Sequence, residues 1–305
     1  MTAKDDLKNV LKRFKPLYKA CRYVRHPSVL KRRLDSWAYR WMLLLKGPSS
    51  LSDAGEPSGV TVSLTSYGKR LNIVHLTILS LMRQSVRPDR IVLWLDVEEG
   101  SGAVPGSLRK LEGYGLDIRY GCEDLKGHKK YFWALREFAD SCVITIDDDV
   151  MYPADTVESL VAAHKHFPDA VVARRVNRMV SADGELVPYA EWEFEWHECD
   201  VPRDDLLATG VGGVLYPPRC FGDQAFDLDP IESTGLGNDD LWLKANEIIE
   251  GRKVAWAPCE RMHPHEIAAE QDDGLSVLNV QGGGNDASIK AIERALGVSF
   301  ASCVE

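Results

Sequence analysis

The 305-residue sequence predicts an α/β protein: a mostly parallel β-sheet with helices on both faces, preceded by a basic helical segment. Two observations carry that expectation. From residue 60 onward, short β-branched or aliphatic runs alternate with stretches of helical periodicity, the order that parallel strands joined by crossover helices require. One of these runs, VITI at 143–146, passes directly into three consecutive aspartates, Asp147, Asp148 and Asp149. In open α/β sheets, ligands collect just beyond the carboxyl ends of strands, which is where this cluster falls.

The elements follow in order. In residues 1–46, Leu7, Val10, Leu11, Phe14, Leu17 and Tyr18 recur at helical spacing among basic residues, and a second helical stretch spans Val29 to Leu45 with Trp37, Tyr39 and Trp41. Residues 47–59, GPSSLSDAGEPSG, read as a linker. Strands are then predicted at 60–65, 90–95, 116–120, 143–146 and 170–173. Helices fall between them at 71–83, near 105–113, at 128–139 and near 153–167. Beyond residue 174 the pattern is irregular until a helix near 239–250 and a strand near 253–257. Residues 60–265 thus form the main domain, and 266–305 a C-terminal loop and helix (287–296), with the glycines 282–284 as a hinge before it.

The net charge of −9 is unevenly spread: residues 1–46 carry +10 and the remainder −19. An acidic body excludes general nucleic-acid binding, which needs a basic footprint. The basic segment, with its aromatics and Leu-rich end, suits an anionic membrane surface. The alternative is packing on the acidic body or on a second copy in a homo-oligomer. Seven cysteines, an odd number without a CxxC pair, read as reduced thiols. No run of about 18 apolar residues exists to span a membrane, and the charged N-terminus lacks the apolar core of a signal peptide. The expected location is cytoplasmic, peripheral at the inner face of the cell membrane.

Adjacent carboxylates repel, and a hard divalent cation, Mn²⁺ or Mg²⁺, relieves them while sharing its shell with substrate phosphates. Five other stretches keep this cluster company. In VSLTSYGKR (62–70), Tyr67 can stack on a base and Arg70 can meet a phosphate bidentately. In DLKGHKKYFWAL (124–135), Lys129 and Lys130 open a helix, where positive charge and free N–H groups favour an anion. GVGGVLYPPRCF (210–221) offers close backbone approach at Gly210, Gly212 and Gly213. It precedes STGLGNDDLWLKANEI (233–248), in which Asn238 caps a helix with Asp239 and Asp240 in its first turn. WAPCERMHPHE (256–266) supplies His263 and His265.

In this order the parts of residues 60–265 resemble the nucleotide-sugar glycosyltransferases of the GT-A fold, closest to glycosyltransferase family 2. The resemblance implies a Rossmann-like catalytic domain in which Thr65, Ser66, Tyr67 and Arg70 receive the nucleotide, with Lys129 and Lys130 facing it. It matches Asp147–Asp149 to the family's DxD motif. Asp147 and Asp148 then meet the donor, and Asp149, with Asp147, ligates the metal, joined by His263. Gly212, Gly213 and Trp242 contact the acceptor, and the acidic pair supplies the general base, Asp240 before Asp239. The implied reaction is metal-dependent, inverting transfer from a nucleotide sugar, with a UDP-sugar favoured. The acceptor is a glycan or lipid-linked hydroxyl, as in cell-surface polysaccharide synthesis. A rival reading takes Asp147-x-Asp149-Val150 as the DxDx(T/V) nucleophile motif of HAD-like phosphohydrolases, which that superfamily places on its first strand. Here three predicted strands precede it.

Overall fold

The computed structural model describes residues 27–51, 58–198, 200–234, 236–267 and 283–304. The predicted periodicity at 7–18, residues 52–57 of the linker, Gly282, Cys21 and Cys199 lie outside them.

In chain order the elements are α1 (Pro27–Lys46), β1 (Val60–Thr65), α2 (Val74–Leu81), β2 (Arg90–Trp94), α3 (Gly106–Arg109), β3 (Leu116–Arg119), α4 (Lys129–Phe132) and α5 (Ala134–Glu137). Then come β4 (Cys142–Thr145), β5 (Val150–Met151), α6 (Thr156–His166), β6 (Val171–Ala173), β7 (Val176–Arg178), β8 (Ser181–Ala182) and β9 (Glu185–Leu186). The chain continues with β10 (Leu206–Ala208), β11 (Val214–Tyr216), α7 (Leu228–Thr234), α8 (Asp239–Ile249), β12 (Val254–Trp256), β13 (His265–Glu266) and α9 (Gly284–Leu296).

Seven strands form one sheet in the order β12-β6-β11-β4-β1-β2-β3. All neighbours pair in parallel except β11, which runs antiparallel between β4 and β6. The predicted α/β architecture with a mostly parallel sheet is present. β11 departs from the expectation: it is three residues long, lies inside the stretch expected as a loop, and ends against Pro217 and Pro218.

Residue alternation sends the two faces of the sheet into two cores. Val62, Leu64, Ile91, Leu93, Ile144 and Ile146 pack on one side with Leu76, Ile78, Val157 and Leu160. Val92, Trp94 and Val143 pack on the other with Tyr131, Phe132, Trp242 and Ile289. On this second face β1 carries only Thr61, Ser63 and Thr65, small enough for α4 to lie close. Ser63 Oγ donates to the Lys130 carbonyl and accepts from Trp94 Nε1 (2.9 Å). That pair of bonds fixes where the Lys130 side chain begins.

The N-terminal segment is docked on the body as far as it is described. Leu43 is fully buried, Tyr39 Oη donates to the Tyr152 carbonyl (2.8 Å), and the Tyr39 ring stacks on His265 with centroids 4.2 Å apart. The first linker residues dock as well. Arg83 donates to the carbonyls of Lys46 and Gly47, and Leu51 is buried against Gly115. Among the described residues no helix is long and apolar enough to cross a membrane, and Cys122, Cys142, Cys220, Cys259 and Cys303 are free thiols.

Candidate active site

The aspartate turn leaves the carboxyl end of β4, the central strand of the sheet, and is pinned from behind. The Asp147 N–H donates to Tyr152 Oη (2.9 Å), and Thr77 Oγ1 of α2 donates to the carbonyls of Asp148 (3.0 Å) and Val150 (2.7 Å). Asp148 is buried; it accepts from Ser66 Oγ (2.6 Å) and from Arg70 Nη1 (2.8 Å). Arg70 Nη2 also reaches Asp149 Oδ2 (3.1 Å), so one guanidinium bridges two carboxylates. Burial pushes the Asp149 carboxyl up to about 6, helped by the charge of Asp147 and only partly offset by Arg70.

The second acidic pair opens α8 as expected. Asn238 accepts from the Leu241 N–H (3.3 Å), and its amide donates to Asn285 Oδ1 of α9 (2.7 Å). Lys130 joins the two acidic groups: its Nζ lies 2.8 Å from Asp147 Oδ1 and 2.9 Å from Asp239 Oδ2. Burial alone would lower the lysine's pKa, but Asp147, Asp239 and Asp240 outweigh it and hold it well above the ordinary value. Burial likewise tends to raise Asp239, and Lys130 overrides it, leaving that carboxyl below the usual range. Asp240 goes the other way. Burial raises it and the Asp239 charge adds to the rise, while the Gly210 N–H bonds both its oxygens (3.1 and 3.3 Å). Two neighbouring carboxyls are thus driven apart, one fixed as an anion and one inclined to hold a proton. Desolvation, the lysine's charge and the like charge between the two carboxyls produce this split.

Gly210 makes the convergence possible. A Cβ there would lie 2.7 Å from Lys130 Nζ, 3.2 Å from Asp240 Oδ1 and 3.3 Å from Asp147 Oδ1. Gly210→Ala is therefore expected to leave the fold intact, as judged by circular dichroism, while cutting turnover by about tenfold or more through displacement of Lys130. Turnover equal to wild type would remove the glycine from the site.

The other residues expected at the site from the sequence are placed by their own contacts. Ser66 is fully buried and donates its hydroxyl to Asp148. Thr65 Oγ1 donates to the Trp94 carbonyl (2.9 Å). Lys129 is fully buried and points to Asp96 (3.3 Å) and Asp124 (3.1 Å), away from the aspartate turn. Trp242 is a core residue whose indole N–H bonds the Ala225 carbonyl (3.0 Å), so it presents no surface to an acceptor. Gly212 makes room for Arg175, and Gly213, at φ 89°, packs on Ile146, Thr156 and Leu160; both face protein. His263 bonds Glu195 (3.1 Å). Tyr67 remains exposed beneath the Arg70 guanidinium, 5.5 Å from its ring centroid, open to a stacking partner. The bridging place of Lys130, and the packing of Lys130, Asp147 and Asp240 around Gly210, are the features that sequence reasoning missed.

Among the described residues no group of three or more His, Cys, Asp or Glu is placed to hold a metal ion. Asp147 and Asp149 nonetheless have the chemistry of a hard-cation site that phosphate oxygens and water complete, which Mg²⁺ in particular favours over an all-protein cage.

No family model matches the chain, and no curated protein matches it. Two of the solved structures similar to it serve as examples. One is S. aureus TarS 1–349, with 14% identity, 79% of this chain and 72% of that chain covered, and a TM-score of 0.43. The other is the mannosyltransferase PcManGT from Pyrobaculum calidifontis in complex with GDP-Man and Mn²⁺, with 15% identity, 90% and 82% covered, and a TM-score of 0.41. At this level of likeness, the roles of individual residues rest on the chain's own geometry.

Proposed function

We propose that the chain is a glycosyltransferase that moves a sugar from a nucleoside-diphosphate sugar to a hydroxyl of a glycan or lipid-linked acceptor, with inversion. The supporting observation is the meeting of two acidic clusters on one lysine: Asp147–Asp149 at the end of β4 and Asp239–Asp240 at the head of α8. Tyr67 and Arg70 form the nucleotide side. Asp149 and Asp147 would hold Mn²⁺ or Mg²⁺, which when bound supplies positive charge to the departing diphosphate. Lys130 adds charge on the same side and keeps Asp239 ionised. Asp240, beside the Gly210 backbone, takes the proton of the attacking hydroxyl. A single proton acceptor across Lys130 from the aspartate turn suits one displacement at the anomeric carbon. The phosphohydrolase reading is not favoured: the aspartates follow the fourth strand in chain order, where that reading needs them on the first.

Thermal shift with nucleoside diphosphates tests the donor side, because a ligand of the native state raises stability by mass action. UDP with Mn²⁺ is expected to raise the melting temperature, GDP serving as the second probe. Asp149→Ala is expected to fold, to lose that shift and to lose transfer. Retained activity of Asp149→Ala in EDTA would refute the metal assignment, and metal-independent turnover of aryl phosphates without nucleotide-sugar turnover would refute the reaction class.

A further inference from the structure

Helix α1 has two apolar faces, and the body uses one. Leu43 and Ser36 are buried, and Tyr39 and Met42 pack against the core. The other face runs through Leu30, Leu34, Trp37, Trp41, Leu44 and Leu45. Steps of four and three residues place these side chains along one side of the helix. They are six of the eleven exposed large hydrophobics among the described residues, with Trp37 63% and Leu45 83% exposed. So concentrated an apolar strip marks an interaction surface. Trp37 and Trp41 meet edge-on, with centroids 6.0 Å apart. Exposed Lys31 and Arg40 border the strip, one on each side. The helix has one acidic residue, Asp35, whose carboxylate lies 4.0 Å from Arg261 Nη1.

We propose that α1 seats its outer strip in the headgroup layer of an anionic lipid surface, its axis lying in the plane of that surface. Two tryptophans on an apolar strip bordered by basic residues match the depth profile of a bilayer interface. Indoles sit at headgroup level, leucines reach the acyl boundary, and lysine and arginine meet anionic headgroups. The helix is not apolar enough to cross the bilayer. A second copy of α1 is the other candidate occupant, since the four-three spacing also builds a two-helix seam. Homotypic pairing, however, sets basic flank against basic flank whichever way the helices run, and two bulky indoles must enter a two-stranded seam. An anionic surface turns the same flanks into attraction. The inner face of α1 ties this surface to the site: Tyr39 bonds the Tyr152 carbonyl, and Tyr152 Oη holds the Asp147 N–H. The inference does not depend on which reaction the site performs.

Flotation of the full chain with phosphatidylcholine vesicles, with and without phosphatidylglycerol, provides the test. The protein is expected to float with the anionic vesicles at low salt, to stay behind with neutral ones, and to release as salt rises. The double variant Trp37→Glu/Trp41→Glu should lower the partition coefficient by about tenfold or more while keeping the wild-type melting temperature and donor-binding shift. The double variant Lys31→Glu/Arg40→Glu should abolish the preference for anionic lipid. Tryptophan quenching by brominated lipid should be strong in the wild type and weak in the Trp37→Glu/Trp41→Glu variant. Full-length protein that ignores anionic vesicles overturns the proposal. So does a tryptophan variant whose solution mass drops from dimer to monomer, which assigns the strip to a second copy.

Discussion

Replacing Lys130 by methionine is expected to abolish transfer and to cost about 3 kcal/mol of folding stability at neutral pH, the low end of what breaking a buried ion pair costs. The low end applies because Asp147 and Asp239 keep some contact with water, their side chains being 32% and 17% exposed. The lysine side chain itself is only 7% exposed. Methionine fills similar volume, so packing is nearly conserved and the loss is electrostatic. Without the ammonium, Asp147, Asp239 and Asp240 face one another as uncompensated anions. Lowering the pH should therefore rescue the variant. In the wild type, Asp239 has a depressed pKa and contributes stability above its unfolded value that is lost as pH falls. In the variant, the same carboxyls have raised pKa values and become easier to bury as pH falls. Urea denaturation at pH 5 and pH 8 measures both arms. The gap between wild type and variant should be large at pH 8 and shrink at pH 5. A Lys130→Met protein as stable as wild type at pH 8 would show that the lysine is dispensable to the cluster.

Much of this arrangement is legible in the sequence because it is local. The limits of β1 coincide with the predicted 60–65, since a six-residue β-branched run buried along its length leaves little choice. The aspartates fall at the end of β4 because an apolar run terminates where charge begins. Asn238 caps α8 as its side-chain chemistry dictates. What the sequence conceals is direction. Lys129 and Lys130 are neighbours, but about 100° of helix rotation separates their side chains, and only the second faces the aspartate turn. Trp242 follows Asp240 by two residues, about 200° of rotation, so a residue read as part of the acidic constellation belongs to the core behind it. β11 escapes for another reason: three residues show no periodicity, and their place between β4 and β6 is set by long-range pairing. The crowding at Gly210 depends on three side chains from distant segments, Lys130, Asp147 and Asp240, which no spacing rule brings together.

Asp240→Asn is expected to reduce kcat by about 10² to 10⁴, the range in which positioned general bases contribute, while leaving the donor KM near its wild-type value. The split follows from geometry. Asp240 accepts from the Gly210 backbone, and no hydrogen bond or ion pair joins it to Arg70 or Tyr67 on the nucleotide side. Asparagine is isosteric and keeps an oxygen for the Gly210 N–H, so the loop should hold its place. The pH profile provides the decisive readout. A base works deprotonated, and burial beside Asp239 raises this carboxyl, so wild-type kcat should fall with acidity at a pH above the ordinary carboxylate range. The variant's residual rate should lack that limb. Stability should move opposite to activity. A carboxyl whose folded pKa exceeds its unfolded value binds its proton more tightly in the native state. Wild-type stability therefore falls as pH rises from the unfolded pKa to the folded one. Asparagine has no proton to lose, so the variant should melt above wild type at neutral and higher pH, and the advantage should vanish near pH 4. A variant at position 240 with normal turnover, beside an inactive Asp239→Asn, would move the base by one residue. A variant with lost turnover but an unchanged acidic limb would leave Asp240 a structural anion and assign proton removal elsewhere.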